Sequence, residues 1–186
     1  LIEFSWHVDG KNDDRKIVFS GDQGRPGAPF LTSPKKVQEA DYQVLESTYG
    51  EREHGDRSRW GKELFEAVLE TVENGGNVII PAFAVGRAQE VLYELNPYAE
   101  SGAFKGIKCF VDRPLVVSAG EIYSRHPACF NAETRHLIEM GDDPLAFPGI
   151  SYTRSKDESK AMNSVKEPHV IISASGMCTG AGSFTT

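Results

Sequence analysis

Several apolar runs of this chain end in residue types that do chemistry. Asp22 stands in Ser20-Gly21-Asp22, directly after Ile17-Val18-Phe19. A carboxylate fixed there can bind a cation through oxygen, or accept backbone hydrogen bonds within its own turn. Glu46 follows Tyr42-Gln43-Val44-Leu45 and is open to three roles: metal ligand, partner that orients a histidine, or solvated strand end. Arg87 comes just after the Pro81–Gly86 loop, where a helical pattern begins. Its guanidinium is a planar, bidentate donor for phosphate, and equally a partner for Glu90 or Glu94 on the same helix. Asp112 and Arg113 follow Lys108–Val111. Ser175 and Gly176 open Ser175-Gly176-Met177-Cys178-Thr179-Gly180. Glycines there let backbone N–H groups approach an anion, and hydroxyls add donors. The segment lacks the lysine of a nucleoside-triphosphate loop.

The five histidines, His7, His54, His126, His136 and His169, are scattered. They form no His-x-His or His-x-x-x-His pair, so the chain alone does not make a closed zinc site. His54, close to the Ser47–Gly50 turn, is the best placed of them for function. Cys109, Cys129 and Cys178 are widely spaced and odd in number. They make neither a disulfide framework nor a cysteine-type zinc site, and read as reduced, intracellular thiols.

The elements that must carry these residues follow from periodicity. Leu1, Ile2, Phe4, Trp6 and Val8 are apolar at nearly every second position, the pattern of a strand. Further strands are predicted at 16–20, 42–46, 77–80, 108–111 and 169–174. Residues 23–36, with Gly24, Pro26, Gly27, Pro29 and Pro34, are predicted to form a loop. Leu64, Phe65, Val68, Leu69 and Val72 share one face of a helix near 58–73, which Asn74-Gly75-Gly76 ends. More helices are predicted at 86–95, with Ala88, Val91, Leu92 and Leu95 inward, and at 115–126, 131–140 and 155–164. A Gly/Pro-rich stretch fills 141–149. Strands alternating with helices imply a mostly parallel α/β sheet covered on both faces. Ligands of such sheets gather outside the carboxyl ends of the strands, where the candidate residues lie.

Composition narrows the class. The 186 residues are 39% hydrophobic and 25% charged, with 27 acidic and 20 basic side chains. Acidic surplus argues against a sequence-blind basic coat for nucleic acid but leaves room for a local basic groove. No apolar run approaches the ~20 residues of a membrane span. The first residues read as a strand entered from its middle, and the last follow a strong strand without a closing element. Both ends are therefore expected to belong to a longer protein, the alternative being a mature chain with frayed termini.

Four motifs, taken in order, carry a family resemblance. They are Phe19-Ser20-Gly21-Asp22, Val44-Leu45-Glu46-Ser47-Thr48-Tyr49-Gly50, Ile80-Pro81-Ala82-Phe83-Ala84-Val85-Gly86-Arg87-Ala88-Gln89-Glu90 and Ser173-Ala174-Ser175-Gly176-Met177. Together they resemble the β-CASP branch of the metallo-β-lactamase fold, whose members are RNA-processing nucleases. The resemblance spans roughly residues 15–182. It implies that residues 1–52 are the C-terminal-side portion of an αββα metallo-β-lactamase domain. Residues 53–186 are then most of a β-CASP domain with a mostly parallel sheet flanked by helices.

The resemblance also implies an activity: a zinc-dependent RNA phosphodiester hydrolase, an endoribonuclease with 5′-exonuclease activity left open. Asp22 matches the carboxylate that bridges two zinc ions. Glu46 matches an acid that hydrogen-bonds an active-site histidine. Arg87, Ser175 and Gly176 match positions that line a phosphate-binding groove, with Tyr49 and His54 as further candidates. The implied mechanism is in-line attack by a metal-bound hydroxide. The family's histidine clusters have no counterpart within residues 1–186, so this chain alone is expected to bind zinc weakly and not to cleave RNA. RNA is the expected partner, in the cytoplasm and away from membranes, with homodimerisation left open. Two rivals stand beside this reading: a non-catalytic RNA-binding or scaffold paralogue, and a hydrolase of small phosphodiesters.

Overall fold

Alternation and β-branching set the first sheet. Ile2–His7 (β1) pairs antiparallel with Asp14–Phe19 (β2), placing Phe4 opposite Ile17. Tyr42–Val44 (β3) lies on the other side of β2 and runs parallel to it, with Phe19 opposite Val44. The computed structural model describes residues 1–7, 14–22, 24, 26–53, 55–112 and 114–173. Within this sheet Phe4 meets Phe19 edge to face and Trp6 stacks on Tyr42, each with ring centroids 6.1 Å apart. Asp41 clips β2 to the start of β3. Its carboxylate accepts from the Lys16 N–H at 2.8 Å and from Arg15 at 2.6 Å. Those two donors, the backbone one first, hold its pKa below the usual carboxylate range. Val18 and Phe30 are buried, whereas Ile2, Phe4, Trp6, Tyr42 and Val44 all stay exposed.

The chain divides into two compact units, Leu1–Gly55 and Asp56–Thr186. In the second, a turn of 3-10 helix at Arg57–Arg59 leads into Trp60–Glu73 (α1). Val78–Pro81 (β4), Arg87–Glu100 (α2), Lys108–Asp112 (β5), Pro114–Arg125 (α3) and Ala132–Glu139 (α4) follow. Ile150–Thr153 (β6), Lys156–Met162 (α5) and His169–Ser173 (β7) complete the described elements. The four strands form one sheet in the order β4-β7-β5-β6, all parallel. The central strand β7 is buried along its whole length, which is why His169-Val170-Ile171-Ile172 reads as a continuous apolar run rather than an alternating one.

Registered side chains of a parallel sheet share a face. Val78, Ile80, Cys109, Val111, Val170 and Ile172 therefore point together, and they join Val68 of α1 and Ala88, Leu92 and Leu95 of α2 in the core. Phe65 of α1 stacks on Tyr98 of α2 with centroids 4.3 Å apart, and also packs against Phe104.

Most boundaries fall within two residues of the sequence expectation, and three departures bear on the fold or the site. Ile150–Thr153 is a strand that the pattern did not announce, because four residues following a Gly/Pro-rich stretch are too short a run to show a period. Helix α2 continues past residue 95 through Pro97 to Glu100. Proline removes one intrahelical bond near the end, while Ala99 is buried and Tyr98 is stacked, so packing holds the last turn. Strand β3 stops at Val44 rather than at Glu46, leaving Glu46 in the turn that follows.

Candidate functional site

Parallel pairing of β2 and β3 sends both chains out at the same sheet edge. Ser20, Gly21 and Asp22 leave one strand there, and Leu45 and Glu46 leave its neighbour. Ser20 ties the two exits together. Its N–H donates to Val44 O at 2.9 Å, its hydroxyl donates to Gly21 O at 2.8 Å, and the same oxygen accepts from the Glu46 N–H at 3.0 Å. Ser20 is itself buried. Gly21 turns the chain in the left-handed region at φ +56, and Asp22 emerges exposed. This serine is a positioning residue within the motif, without reactive chemistry of its own. The signal was its place between a buried strand and a Gly-Asp turn.

Glu46 folds back on its own turn, where Oε2 accepts from the Thr48 N–H at 2.8 Å. The turn continues with Gly50 N–H donating to Ser47 O at 2.9 Å. Tyr49 sits at φ +61, the only non-glycine residue with positive φ among those described. A bulky side chain there is strained. The Arg52 guanidinium lies 4.2 Å from the centre of its ring. His54 lies outside the described residues.

In the second unit the Pro81–Gly86 loop is built to deliver Arg87. Ala82 N–H donates to Ser173 O at 2.9 Å, fastening the exit of β4 to the end of β7. Gly86 takes φ +87 just before the helix, and its N–H donates to the Gln89 side chain at 2.8 Å. Gln89 is almost completely buried and donates in turn to Ala84 O at 3.1 Å. A glutamine three residues into a helix, reaching back to the cap, is half of a capping box. That spacing is the sequence signal of a second positioning residue. Arg87 then opens α2, half exposed, and donates to Glu90. The intrahelical pairing foreseen as its alternative is thus formed.

The other strand ends divide. Asp112 is buried, and its Oδ1 accepts from the Thr153 hydroxyl at 2.8 Å across the β5–β6 pair. Ser173, beside Asp112 in the β5–β7 register, is fully buried, and its hydroxyl has no hydrogen-bond partner among the described residues. Ser175 and Gly176 lie outside the described residues. The structure therefore brings Asp22 and Glu46 to one edge of the first sheet and puts Arg87 at the head of α2 in the second unit.

Among the described residues no group of three or more His, Cys, Asp and Glu side chains is arranged to hold a metal ion. His7 pairs with Asp14 at 2.8 Å, and His169 is buried with Nδ1 2.8 Å from Glu167 O. Zinc takes four ligands in a structural site and three in a catalytic one, and Asp22 alone does not fit that demand. Cys109 is buried, which pushes its thiol up to about 12, whereas Cys129 is exposed. Burial thus keeps the Cys109 thiol protonated and unactivated. Among the described residues, no helix is long and apolar enough to cross a membrane.

Comparison with known proteins places this geometry. The model of the Beta-Casp domain matches residues 88–184, just over half of the chain. An RNase J-like protein of Methanocaldococcus jannaschii is 34% identical over 171 residues, 90% of this chain and 39% of that protein. A ribonuclease of Thermus thermophilus is 32% identical over 173 residues, 93% of this chain and 40% of that protein. A transcription termination factor of Methanothermobacter thermautotrophicus is 29% identical over 182 residues, 96% of this chain and 28% of that protein. The chain thus spans about two-fifths or less of the length of these relatives. Its parallel sheet flanked by helices and its matched residues agree: this chain belongs to the β-CASP family.

Proposed function

We propose that this chain is the RNA-gripping and carboxylate-bearing part of an RNA phosphodiester hydrolase. The observation that carries the reading is the Ser20 link, which sets the turns of Asp22 and Glu46 side by side at one strand edge. Two relatives named as a ribonuclease and an RNase J-like protein support RNA as the substrate class. Residues 1–52 are read as part of a metallo-β-lactamase domain, and their exposed apolar side chains suit a sheet that further layers cover. Two zinc ions belong to the same reading, as do a cytoplasmic setting and endonucleolytic cutting. Zinc would supply a hydroxide nucleophile and stabilise charge on the phosphate. Asp22 would contribute one carboxylate to its binding, and the remaining ligands would come from outside the described residues. The chain's own groups do the rest. In this reading Glu46, whose carboxylate accepts from the Thr48 N–H, orients a histidine, and Arg87, half exposed at the head of α2, binds a phosphate.

The test has two arms. With the 186-residue chain, Arg87→Ala should weaken binding of a labelled single-stranded RNA and flatten its salt dependence. In a polypeptide of the relatives' length that carries this chain, Asp22→Asn should lower metal-dependent cleavage by roughly a hundredfold or more. Unchanged affinity and slope would remove the groove assignment, and undiminished cleavage would remove the role of Asp22. One relative is named for transcription termination, which favours a second reading: an RNA-binding factor for which cleavage is dispensable. Full RNA binding with no cleavage at the longer length would select it.

A further inference from the structure

Glu90 lies one turn into α2 with its two carboxylate oxygens divided between two guanidinium groups. Oε2 accepts from Nη1 of Arg87, and Oε1 lies 3.8 Å from Nη2 of Arg57. Arg57 comes from the 3-10 turn before α1, a separate element of the same unit. Its guanidinium sits over the Trp60 ring, 4.6 Å from the centroid. A ring face fixes the plane of a guanidinium and directs its N–H edge sideways. The Arg57 and Glu90 side chains are only 20% and 23% exposed, whereas Arg87 is 54% exposed. Glu94, the next carboxyl along α2, is half-buried. Burial raises its pKa, Glu90 adds to the rise and Arg57 opposes it.

Two guanidinium groups converging on one O–C–O unit are also set to meet the O–P–O unit of a phosphodiester, since both anions offer paired oxygens to the same planar donors. The cation at the head of α2 has a further reason to be neutralised at rest, because positive charge opposes the helix dipole there. We propose that Arg57 and Arg87 together form an RNA phosphate clamp, with Glu90 as the internal anion that an RNA phosphate displaces. This rests on the phosphate-binding reading of Arg87 and extends it to Glu90, a motif residue so far without a role of its own, and to Arg57, which lies outside the four motifs. Displacement is easiest on the side of Arg87, the more exposed of the two arginines, where water can replace the carboxylate as it leaves.

The experiment titrates the 186-residue chain into a fluorescent single-stranded RNA by anisotropy at several salt concentrations, with melting temperatures as a control for folding. Glu90→Gln keeps the side chain's shape and removes its charge. It should tighten binding roughly three- to tenfold at low salt and steepen the salt slope by about 0.7 for each phosphate contact released. Arg57→Lys keeps a charge but loses the planar fork. It should weaken binding about threefold or more. The gain from Glu90→Gln should shrink when the two are combined, as coupled neighbours require. Weaker binding by Glu90→Gln would make Glu90 a brace for the arginines and overturn the displacement. Unchanged binding by Arg57→Lys, with Arg87→Ala still harmful, would overturn the clamp and leave the Arg87 assignment standing. An inert Arg87→Ala would instead remove the reading beneath both.

Discussion

Ser20 has no reactive role, yet it decides where two candidate reactive groups stand. Replacing it with alanine leaves the Glu46 N–H without its partner beside a buried position. Such a loss costs about 1–3 kcal/mol. Ser20→Ala should therefore lower the stability of the first sheet by that order and speed hydrogen exchange at the Glu46 amide. Protection unchanged at Glu46 would show that the link is dispensable. Cys109 makes a second residue-scale case. Burial pushes its folded-state pKa up to about 12, above the 9.0 of an ordinary cysteine thiol. The unfolded chain therefore loses this proton first as the medium becomes alkaline. Stability from this thiol is complete below pH 9 and drains away as pH rises towards 12. Cys109→Ala should flatten the alkaline limb of a stability-against-pH curve, after allowance for its uniform packing loss. Tyr152, also raised to about 12 by burial, will contribute a residual slope.

At the scale of elements, the loop between β4 and α2 shows how local sequence and packing divide the work. Gly86 supplies a backbone conformation that side-chain-bearing residues avoid. Gln89 then holds the loop from below through Gly86 N–H and Ala84 O. Gln89→Ala would orphan that N–H and open space in a buried site. The expected loss is about 1–3 kcal/mol in a denaturant midpoint experiment. RNA affinity should fall as well, because Arg87 loses its fixed point of departure. A stability loss with undiminished affinity would separate the loop's structural role from delivery of Arg87. Pro97 marks the opposite case, where local preference lost: the helix runs through it because Tyr98 and Ala99 are held by packing.

For the whole molecule, the two units differ in how much apolar surface they hide. Asp56–Thr186 has a continuous core in which β7 is fully buried between its neighbours. Leu1–Gly55 buries Val18 and Phe30 but leaves much of its apolar sheet exposed. Chains of some 55 residues are marginal even when well packed. Residues 56–186 expressed alone should melt cooperatively, while residues 1–55 alone should lack a cooperative transition and bind a hydrophobic dye. Cooperative melting of the short piece would show that its exposed face is no handicap.

What the sequence by itself determined was the kind of elements and the identity of the motifs. The alternation of Ile2–His7, the helical stripe of Leu64, Phe65 and Val68, and the unbroken apolar run of β7 are short-range patterns, legible because they repeat with a fixed period. The β-CASP membership was legible too, since four motifs in order are more specific than any one. Tertiary structure decided the rest. It paired Ile150–Thr153 into the sheet, carried α2 past Pro97, and ended β3 before Glu46. It also turned Asp112 towards Thr153 and set Glu90 between arginines from two elements. Those outcomes depend on contacts between residues far apart in the chain, and a periodicity read along one segment holds no information about a partner in another.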